Sequence, residues 1–342
     1  MTPGRSAVLA REVAPELVTA GNERDIIVDR SNDCVVVDEA VFVKWLTPPV
    51  AEPHRGLDVL RHLDLAGFEA MPKLLGTQVV DGVVEAIVFE HVAGSEDGWT
   101  WLFVHVNAAD DGSVACDPIA DAVRLGVIAA DLHLALATPT AVIREPVAAV
   151  DRSCERVRGR LLLAAALAEV EASEHPEAHQ VLHACRPRLE ALIESIPDGP
   201  TPAIPIHGDL HMGQVLRAGD RMAVIDFDGN PLSNGERPAP QPPAVDLASL
   251  AQSVDHTVRM TQHRRPGRDA TLDALASGMA RAVIGSYRLR LSAAGAAHLL
   301  DDALLPALRA VQELHELVYS VRRLPRWIYA PTLALRGMFP DD

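Results

Sequence analysis

Apolar and polar positions in the N-terminal part of the chain follow the pattern of a small sheet. Runs rich in Val and Ile alternate with short polar segments, which predicts strands separated by turns. An Asp-Gly pair at 81–82 lies between two such runs and is typical of a hairpin turn. Leucines at roughly helical spacing predict one helix over residues 56–66. The predicted strands cover residues 25–29, 34–37, 41–46, 79–80 and 83–90.

The pattern becomes helical from Asp117 onward. A segment rich in Ala and Leu at 118–136 predicts a helix with Asp117 as its N-cap. Residues 147–195 predict two long helices that are broken near 173–176, and the chain is again mostly helical between 246 and 319.

A β-rich part followed by a helical part indicates an α+β protein with two lobes. We expect a small, β-rich N-terminal lobe over residues 1–92 and a larger, mainly helical C-terminal lobe over residues 93–342.

The composition limits what the chain binds and where it works. Hydrophobic residues make up 48% of the sequence and charged residues 23%, which is enough apolar material for a core. A net charge of −16 argues against nucleic acid or an anionic membrane surface as a partner. Four cysteines without disulfide or zinc spacing, no signal-peptide pattern and no run of about 20 apolar residues predict a cytoplasmic protein. The oligomeric state stays open, with a monomer as the simplest expectation.

The densest polar motif is His207-Gly-Asp-Leu-His-Met-Gly-Gln214, followed by Val224-Ile-Asp-Phe-Asp-Gly229. This order and spacing match the kinase catalytic loop, H-R-D-x-x-x-x-N, and the D-F-G that follows it. Asp209 then takes the position of the catalytic base, and Gln214 and Asp226 take the positions of metal ligands. An amide oxygen and a carboxylate are hard ligands that suit Mg²⁺. We therefore expect phosphoryl transfer from ATP with Mg²⁺ as the cofactor.

Asp228 is a further candidate in the second element of this motif. A strand is predicted over residues 222–227, and if it continues, Asp226 and Asp228 project to the same side. Asp228 could then face either the metal or the substrate.

The nucleotide requires further groups from the β-rich lobe. Lysine occurs only at Lys44 and Lys73, and Lys44 lies inside an apolar run, where we expect it to bind the ATP phosphates. Asp58, near the start of the predicted helix, is our candidate for its partner, because a buried ammonium needs a counter-charge. Glu90 and Val92 end the last predicted strand, where backbone groups would meet adenine.

A loop that covers the ATP phosphates is the remaining part of the nucleotide site. No G-x-G-x-x-G occurs in the N-terminal lobe, so we expect backbone N–H groups near the polar turn at 30–33 to approach ATP instead.

These residues give the chain a resemblance to the aminoglycoside-phosphotransferase branch of the protein-kinase-like fold. More narrowly, the chain resembles the maltokinases and the actinobacterial glucosamine kinases. The resemblance implies a bilobal kinase-like fold and transfer of the ATP γ-phosphoryl group to a sugar hydroxyl, which for glucosamine is the 6-hydroxyl. The Asp-Phe-Asp-Gly-Asn-Pro run at 226–231 is closer to the glucosamine kinases, because maltokinases tend to carry Glu at both variable positions. The matching segments are 43–45, 58–68, 72–76, 89–92, 97–99, 126–137, 207–217, 225–231, 245–247, 253–256 and 324–327.

An amino sugar carries a protonated amine, which favours carboxylates opposite the reacting hydroxyl. Glu313 and Glu316 are one helical turn apart and share a face in the predicted helix. Aromatic residues near the C-terminus could provide a platform for the sugar ring. The candidate substrate contacts are Asp228, Glu236, Glu313, Glu316, Trp327, Tyr329 and His211.

Two further residues are expected to support the catalytic loop without transferring protons. Asp246 would brace the loop, and His207 would orient it, as the matching position does in related kinases.

Three functions remain compatible with the sequence. A glucosamine kinase is the leading hypothesis, and a maltokinase or an antibiotic phosphotransferase would use the same chemistry. A pseudokinase that binds nucleotide without turnover is the alternative from another class, although retention of Lys44, Asp209, Gln214 and Asp226 argues against it.

Overall fold

The computed structural model describes residues 4–26, 32–113, 117–229 and 240–340. The chain divides into two compact units. The first unit comprises Met1–Asp97, Thr138–Arg144 and Gln214–Arg237, and the second comprises Gly98–Ala137, Glu145–Gly213 and Pro238–Asp342. Residues 30 and 31 of the predicted polar turn lie outside the described residues, as do Cys116 and Glu236.

Strands are concentrated in the first unit and helices in the second. The strands are β1 (Glu23–Ile26), β2 (Asp33–Val37), β3 (Val41–Ala51), β4 (Leu74–Val80), β5 (Val83–Glu90), β6 (Ala148–Asp151), β7 (Pro200–Ala203), β8 (Val215–Ala218) and β9 (Arg221–Val224). The α-helices are α1 (Arg5–Val13), α2 (Arg55–Leu65), α3 (Gly98–Asp111), α4 (Pro118–Leu136), α5 (Ser153–Glu171), α6 (Pro176–Glu194), α7 (Ala244–Arg264), α8 (Asp269–Ala293), α9 (Leu305–Arg323) and α10 (Tyr329–Met338).

A five-stranded antiparallel sheet with the order β1-β2-β3-β5-β4 organises the first unit. Side chains alternate between the two faces of a strand. Val41, Val43 and Trp45 of β3 therefore share one face, and they join a buried cluster with residues of α1. Lys44 lies between them in sequence and projects to the opposite face. Val41, Val43 and Trp45 thus cover one side of the sheet, and Lys44 lies on the other side.

Helix α1 was not predicted from the sequence. It has only nine residues, and its ends are polar. Ala7, Leu9 and Ala10 are buried in one cluster with residues of the sheet, and Ser6 accepts a hydrogen bond from the indole nitrogen of Trp45 at 2.9 Å. Short helices of this kind are stabilised by tertiary contacts more than by their own propensity.

The second unit is built from packed helices. Helix α8 packs against α4 and α7, and a separate apolar core joins α5, α6, α9 and α10. The predicted helix at 118–136 and its N-cap are confirmed, because the Asp117 carboxylate accepts hydrogen bonds from the Ile119 and Ala120 amides. The break predicted near 173–176 is also confirmed.

Three of the four cysteines lie within the described residues. Cys34, Cys154 and Cys185 form no disulfide with one another. None of the helices in the described ranges combines the length and the apolar character that crossing a bilayer requires.

Candidate active site

Lys44 binds two carboxylates in the first unit. Its ammonium nitrogen lies 2.8 Å from Asp226 Oδ1 and 2.7 Å from Asp228 Oδ2. The lysine side chain is 10% exposed, whereas those of Asp226 and Asp228 are 40% and 32% exposed. Burial opposes the charged form, but the carboxylates of Asp228 and Asp226 outweigh it and raise the pKa of Lys44 above its usual value. The cluster therefore holds one cation with acids that solvent can reach.

The backbone reaches this arrangement by a route that the sequence did not predict. Strand β9 ends at Val224, so the alternation expected through Asp228 does not hold. Asp226 instead adopts a left-handed conformation with φ of 62°, which Asp tolerates better than most residues. The amide of Ile225, one residue earlier, donates to the carbonyl of Gln214 at 2.9 Å. This bond ties the segment that carries Asp226 to the end of the predicted catalytic loop.

The start of α2 is shaped to accept Asp228. A Cβ atom at Gly56 would lie 2.0 Å from Asp228 Oδ1, so a larger residue there would clash with the carboxylate. His54 caps the helix by accepting a hydrogen bond from the Leu57 amide at 3.1 Å. Burial lowers the pKa of His54, and its Nε2 lies 4.0 Å from Asp228 Oδ1. A neutral His54 that accepts at Nδ1 carries its proton on Nε2, toward that carboxylate.

The partners of Lys44 differ from the one that the sequence favoured. Asp226 and Asp228 make the hydrogen bonds to its ammonium, whereas we had singled out Asp58. Asp58 lies in the first turn of α2 and acts electrostatically on His54. A role for Asp58 beside Lys44 stays a prediction.

Glu90 and Val92 lie at the end of the sheet. The Glu90 amide donates to the carbonyl of Lys73 at 2.9 Å, and its carboxylate binds Arg221 through two 3.0 Å hydrogen bonds. The Val92 carbonyl accepts from the Ser95 amide at 3.2 Å. Contacts of this segment with adenine stay a prediction.

In the second unit, Asp246 fixes the start of the catalytic loop. Its Oδ2 accepts from the His207 amide at 2.7 Å, and its Oδ1 accepts from the Gly208 amide at 2.9 Å. His133 Nε2 lies 3.1 Å from Oδ2, and His133 Nδ1 lies 2.6 Å from the Tyr287 hydroxyl. These groups come from α4, α7 and α8 and are all buried. Burial opposes ionisation of Asp246, but the hydrogen bond and the charge of His133 lower its pKa below the usual value.

The side chains that follow in the loop are more accessible. His207 is buried and accepts a hydrogen bond from the Asp209 amide at Nδ1, at 3.3 Å. The carboxylate of Asp209 is 30% exposed, and its Oδ2 lies 3.7 Å from His211 Nε2. Farther along, the Met212 amide donates to the Ser253 hydroxyl at 3.1 Å. The loop thus has a rigid base and presents Asp209 to solvent.

Aromatic side chains surround the end of this loop. Trp99 stacks on His211 with ring centroids 5.9 Å apart, and its edge meets Trp327 at 5.3 Å. Trp327 in turn meets Tyr329 at 5.6 Å. A Cβ atom at Gly213 would lie 2.8 Å from the indole nitrogen of Trp99, so the glycine leaves room for this ring. The structure therefore brings His211 and Trp327, both predicted as substrate contacts, against one tryptophan.

The structure places Glu313 differently from our prediction. Glu313 was expected to contact the acceptor, but it is wholly buried, and its oxygens bind Gln252 and His256. Burial would lower the pKa of His256, but Glu313, 2.9 Å away, raises it to about 9. His256 also meets the edge of Trp327 at 6.1 Å. Glu313 thus holds a protonated histidine behind the aromatic group.

Glu316 is the more accessible of the two predicted glutamates. It is partly buried, and its Oε1 accepts from Gln312 at 3.1 Å. Burial raises the pKa of Glu316, and the negative charges of Glu313 and Asp209 raise it further, although His256 opposes this. The repulsion that Glu313 and Asp209 exert on Glu316 would favour a cation beside it.

Several residues of this site escaped individual assignment. Trp99, His133 and His256 lie in segments that resemble the family, so the resemblance marks these positions but gives none of the three residues a role. Tyr287 lies in a long helix and no local motif marks it, because its contact with His133 spans 154 positions.

Comparisons with known proteins show the family of the chain. A model of the phosphotransferase enzyme family, APH, matches residues 46–282. The chain is 36% identical to a glucosamine kinase of Streptacidiphilus jiangxiensis, over 99% of this chain and 78% of that protein. It is also 36% identical to a glucosamine kinase of Mycolicibacterium smegmatis, over 94% of this chain and 81% of that protein.

A solved structure gives the same result. It is a glucosamine kinase in complex with glucosamine, ADP and inorganic phosphate, and it matches with a TM-score of 0.82 at 31% identity. The match covers 99% of this chain and 83% of that chain. The predicted α+β, kinase-like fold class is confirmed. By full-length sequence similarity and by fold, the chain belongs to the phosphotransferase enzyme family, in the branch that contains the glucosamine kinases.

Proposed function

We propose that the chain is an ATP-dependent glucosamine kinase, which transfers the γ-phosphoryl group of ATP to the 6-hydroxyl of D-glucosamine. The observation that carries the proposal is the similarity to glucosamine kinases along almost the whole chain, which includes the motifs that hold Lys44, Asp209 and Asp226. The fold alone would not identify the acceptor, because enzymes with a kinase-like fold phosphorylate many different acceptors.

The first unit supplies the nucleotide half of the reaction. Asp226 and Asp228 already hold one cation, the ammonium of Lys44, and their side chains stay partly exposed. Carboxylate oxygens of this kind, with the amide oxygen of Gln214, fit Mg²⁺. When bound, Mg²⁺ would neutralise charge on the phosphates. Lys44 would then leave the carboxylates and bind phosphate oxygens, whose negative charge would replace that of the carboxylates and keep the ammonium protonated.

Asp209 would act on the acceptor. Its carboxylate would accept a hydrogen bond from the 6-hydroxyl and take the proton as the phosphoryl group is transferred. Asp246 and His207 would act through Asp209 by fixing the backbone on either side of Gly208. The buried network behind them would keep the carboxylate in one position, which proximity-based catalysis requires.

The amine of glucosamine would be recognised by charge. Glu316 is partly buried beside Asp209 and Glu313, so its environment favours a positive partner. Trp99 and Trp327 would contact the apolar face of the sugar, and His211 would contact a hydroxyl. Glu313 would support His256 and Trp327 without contacting the sugar. The cytoplasmic location and the monomeric state stay predictions.

An assay of ADP release tests the proposal across glucosamine, glucose, maltose and an aminoglycoside. We expect glucosamine to give the highest kcat/KM, with ³¹P NMR identifying a 6-phosphate ester. Little turnover of glucosamine beside rapid turnover of maltose or the aminoglycoside would overturn it, and binding of Mg–ATP without any turnover would indicate a pseudokinase.

A matched pair of variants tests how the acceptor is read. Glu316→Gln keeps the shape of the side chain and removes its charge. We expect KM for glucosamine to rise about tenfold, with little change for glucose, because only the amine interacts with the lost charge. Glu177→Gln, on an exposed glutamate of α6, is the control. An equal loss for both sugars would show that Glu316 does not recognise the amine.

A further inference from the structure

Three potential metal ligands meet at the turn between two helices of the second unit. Glu171 is the last residue of α5, and His179 and His183 lie on α6. Their ligand atoms all lie within 4.8 Å of one another. None of these residues took part in the function derived above.

The geometry of the cluster follows from helical spacing. Residues four apart lie on the same face of a helix, and the rings of His179 and His183 are 4.3 Å apart between centroids. Glu171 Oε2 lies 2.7 Å from His179 Nε2 and 3.7 Å from His183 Nε2. In a tetrahedral zinc site with bonds of about 2.1 Å, ligand atoms are about 3.4 Å apart. The observed separations bracket that value, so little movement is required to bind an ion.

The backbone that carries the cluster is held by the core. Val170, Ala178 and Leu182 each precede one of the three ligands, and all of them are buried in the apolar cluster that joins α5 and α6. A rigid scaffold reduces the ordering needed on binding. The ligand side chains themselves are partly exposed, at 67% for Glu171 and 43% for each histidine. Metal can therefore reach them, and water can complete the coordination.

We propose that Glu171, His179 and His183 form a binding site for a borderline divalent cation such as Zn²⁺, which links the C-terminal end of α5 to α6. Two imidazoles and one carboxylate suit zinc and disfavour Mg²⁺, which prefers oxygen ligands. On binding, the ion takes the position of the Nε2 hydrogen that His179 directs at Glu171, and the neutral ring carries its one proton on Nδ1 instead. None of the three residues belongs to the nucleotide site or to the acceptor site proposed above.

The test uses the full-length, tag-free chain after removal of metal. Competition with a fluorescent chelator would measure Zn²⁺ affinity in the wild type and in His179→Ala, His183→Ala and Glu171→Gln. We expect each histidine variant to lose at least about tenfold in affinity, since even indirect partners of a metal change affinity by that much. The controls are His298→Ala and Glu174→Gln, which remove exposed groups outside the cluster.

Thermal unfolding gives a second readout. An excess of Zn²⁺ should raise the Tm of the wild type by several degrees, and the His179→Ala/His183→Ala double variant should show no such shift. Mg²⁺ at the same concentration should change the Tm of the wild type and of the double variant equally, because any effect of Mg²⁺ arises outside the cluster. Zn²⁺ affinity that is the same in the wild type and in all three cluster variants, or that falls equally in the two controls, would overturn the proposal.

Discussion

In the first unit, Asp226 and Asp228 bind Lys44, and their side chains are 40% and 32% exposed. In the second unit, the side chain of Asp246 is only 1% exposed, and it accepts hydrogen bonds from His133 and from two backbone amides. We expect the exposed acids to exchange their cation, because water can replace each lost contact. The buried acid cannot, because breaking its contacts would leave a charge without partners. The comparison separates groups that we assign to ligand exchange from groups that hold geometry.

The largest expected effect comes from Asp209, the accessible acid on the rigid loop. Asp209→Asn should lower kcat with glucosamine by about 10³-fold, because the amide cannot accept the hydroxyl proton. Stability should change little, since the side chain is partly exposed. Steady-state kinetics and calorimetry measure the two quantities. Asp198→Asn, on an acid that is 80% exposed, is the matched control. A variant at position 209 that retains most of its kcat would exclude Asp209 as the base.

Asp246→Asn should show the opposite balance. We expect the free energy of unfolding to fall by about 3 kcal/mol, because His133 and two loop amides lose a charged acceptor in the interior. Tyr287→Phe removes one hydrogen bond of the same network, between the Tyr287 hydroxyl and His133, and should lower the free energy of unfolding by about 1 kcal/mol. Urea unfolding followed by circular dichroism gives both values. Equal losses for the two variants would mean that the charge of Asp246 contributes no more to the free energy of unfolding than one ordinary hydrogen bond does.

The His256–Glu313 pair predicts a pH dependence of stability. The folded-state pKa of His256, about 9, is above the unfolded value of 6.5, so its contribution is complete below pH 6.5 and disappears as the pH rises through 9. We expect the wild type to lose roughly 2 kcal/mol of this contribution between pH 7 and 10. His256→Gln should lack that part of the slope. Parallel pH profiles for the two proteins would show that the histidine is not protonated in the folded state.

Local motifs explain why much of the fold and part of the site could be predicted. The loop at 207–214 and the Asp226 segment are recognisable because kinase chemistry fixes their spacing within a few residues. Helix α4 was located because its N-cap and its apolar positions lie within its own sequence. Such signals need no knowledge of the tertiary structure.

Contacts between distant positions explain what the sequence could not give. Lys44 donates a hydrogen bond to Asp228, which is 184 positions away in the sequence. The contact depends on the left-handed backbone conformation of Asp226, which no strand pattern predicts. Glu313 and Glu316 share one helical turn, yet packing buries the first and leaves the second partly exposed. Periodicity identifies a shared face, but only the neighbouring helices decide which of its residues reach solvent.

The central claim is that Asp226 and Asp228 exchange Lys44 for a metal–nucleotide complex. Isothermal titration of ATP with and without Mg²⁺, in the wild type and in Asp226→Asn, tests this most directly. We predict that Mg²⁺ strengthens ATP binding at least tenfold in the wild type and has little effect in the variant, since one hard ligand is lost. Wild-type binding that ignores Mg²⁺, or a variant with the full Mg²⁺ dependence, would contradict the account.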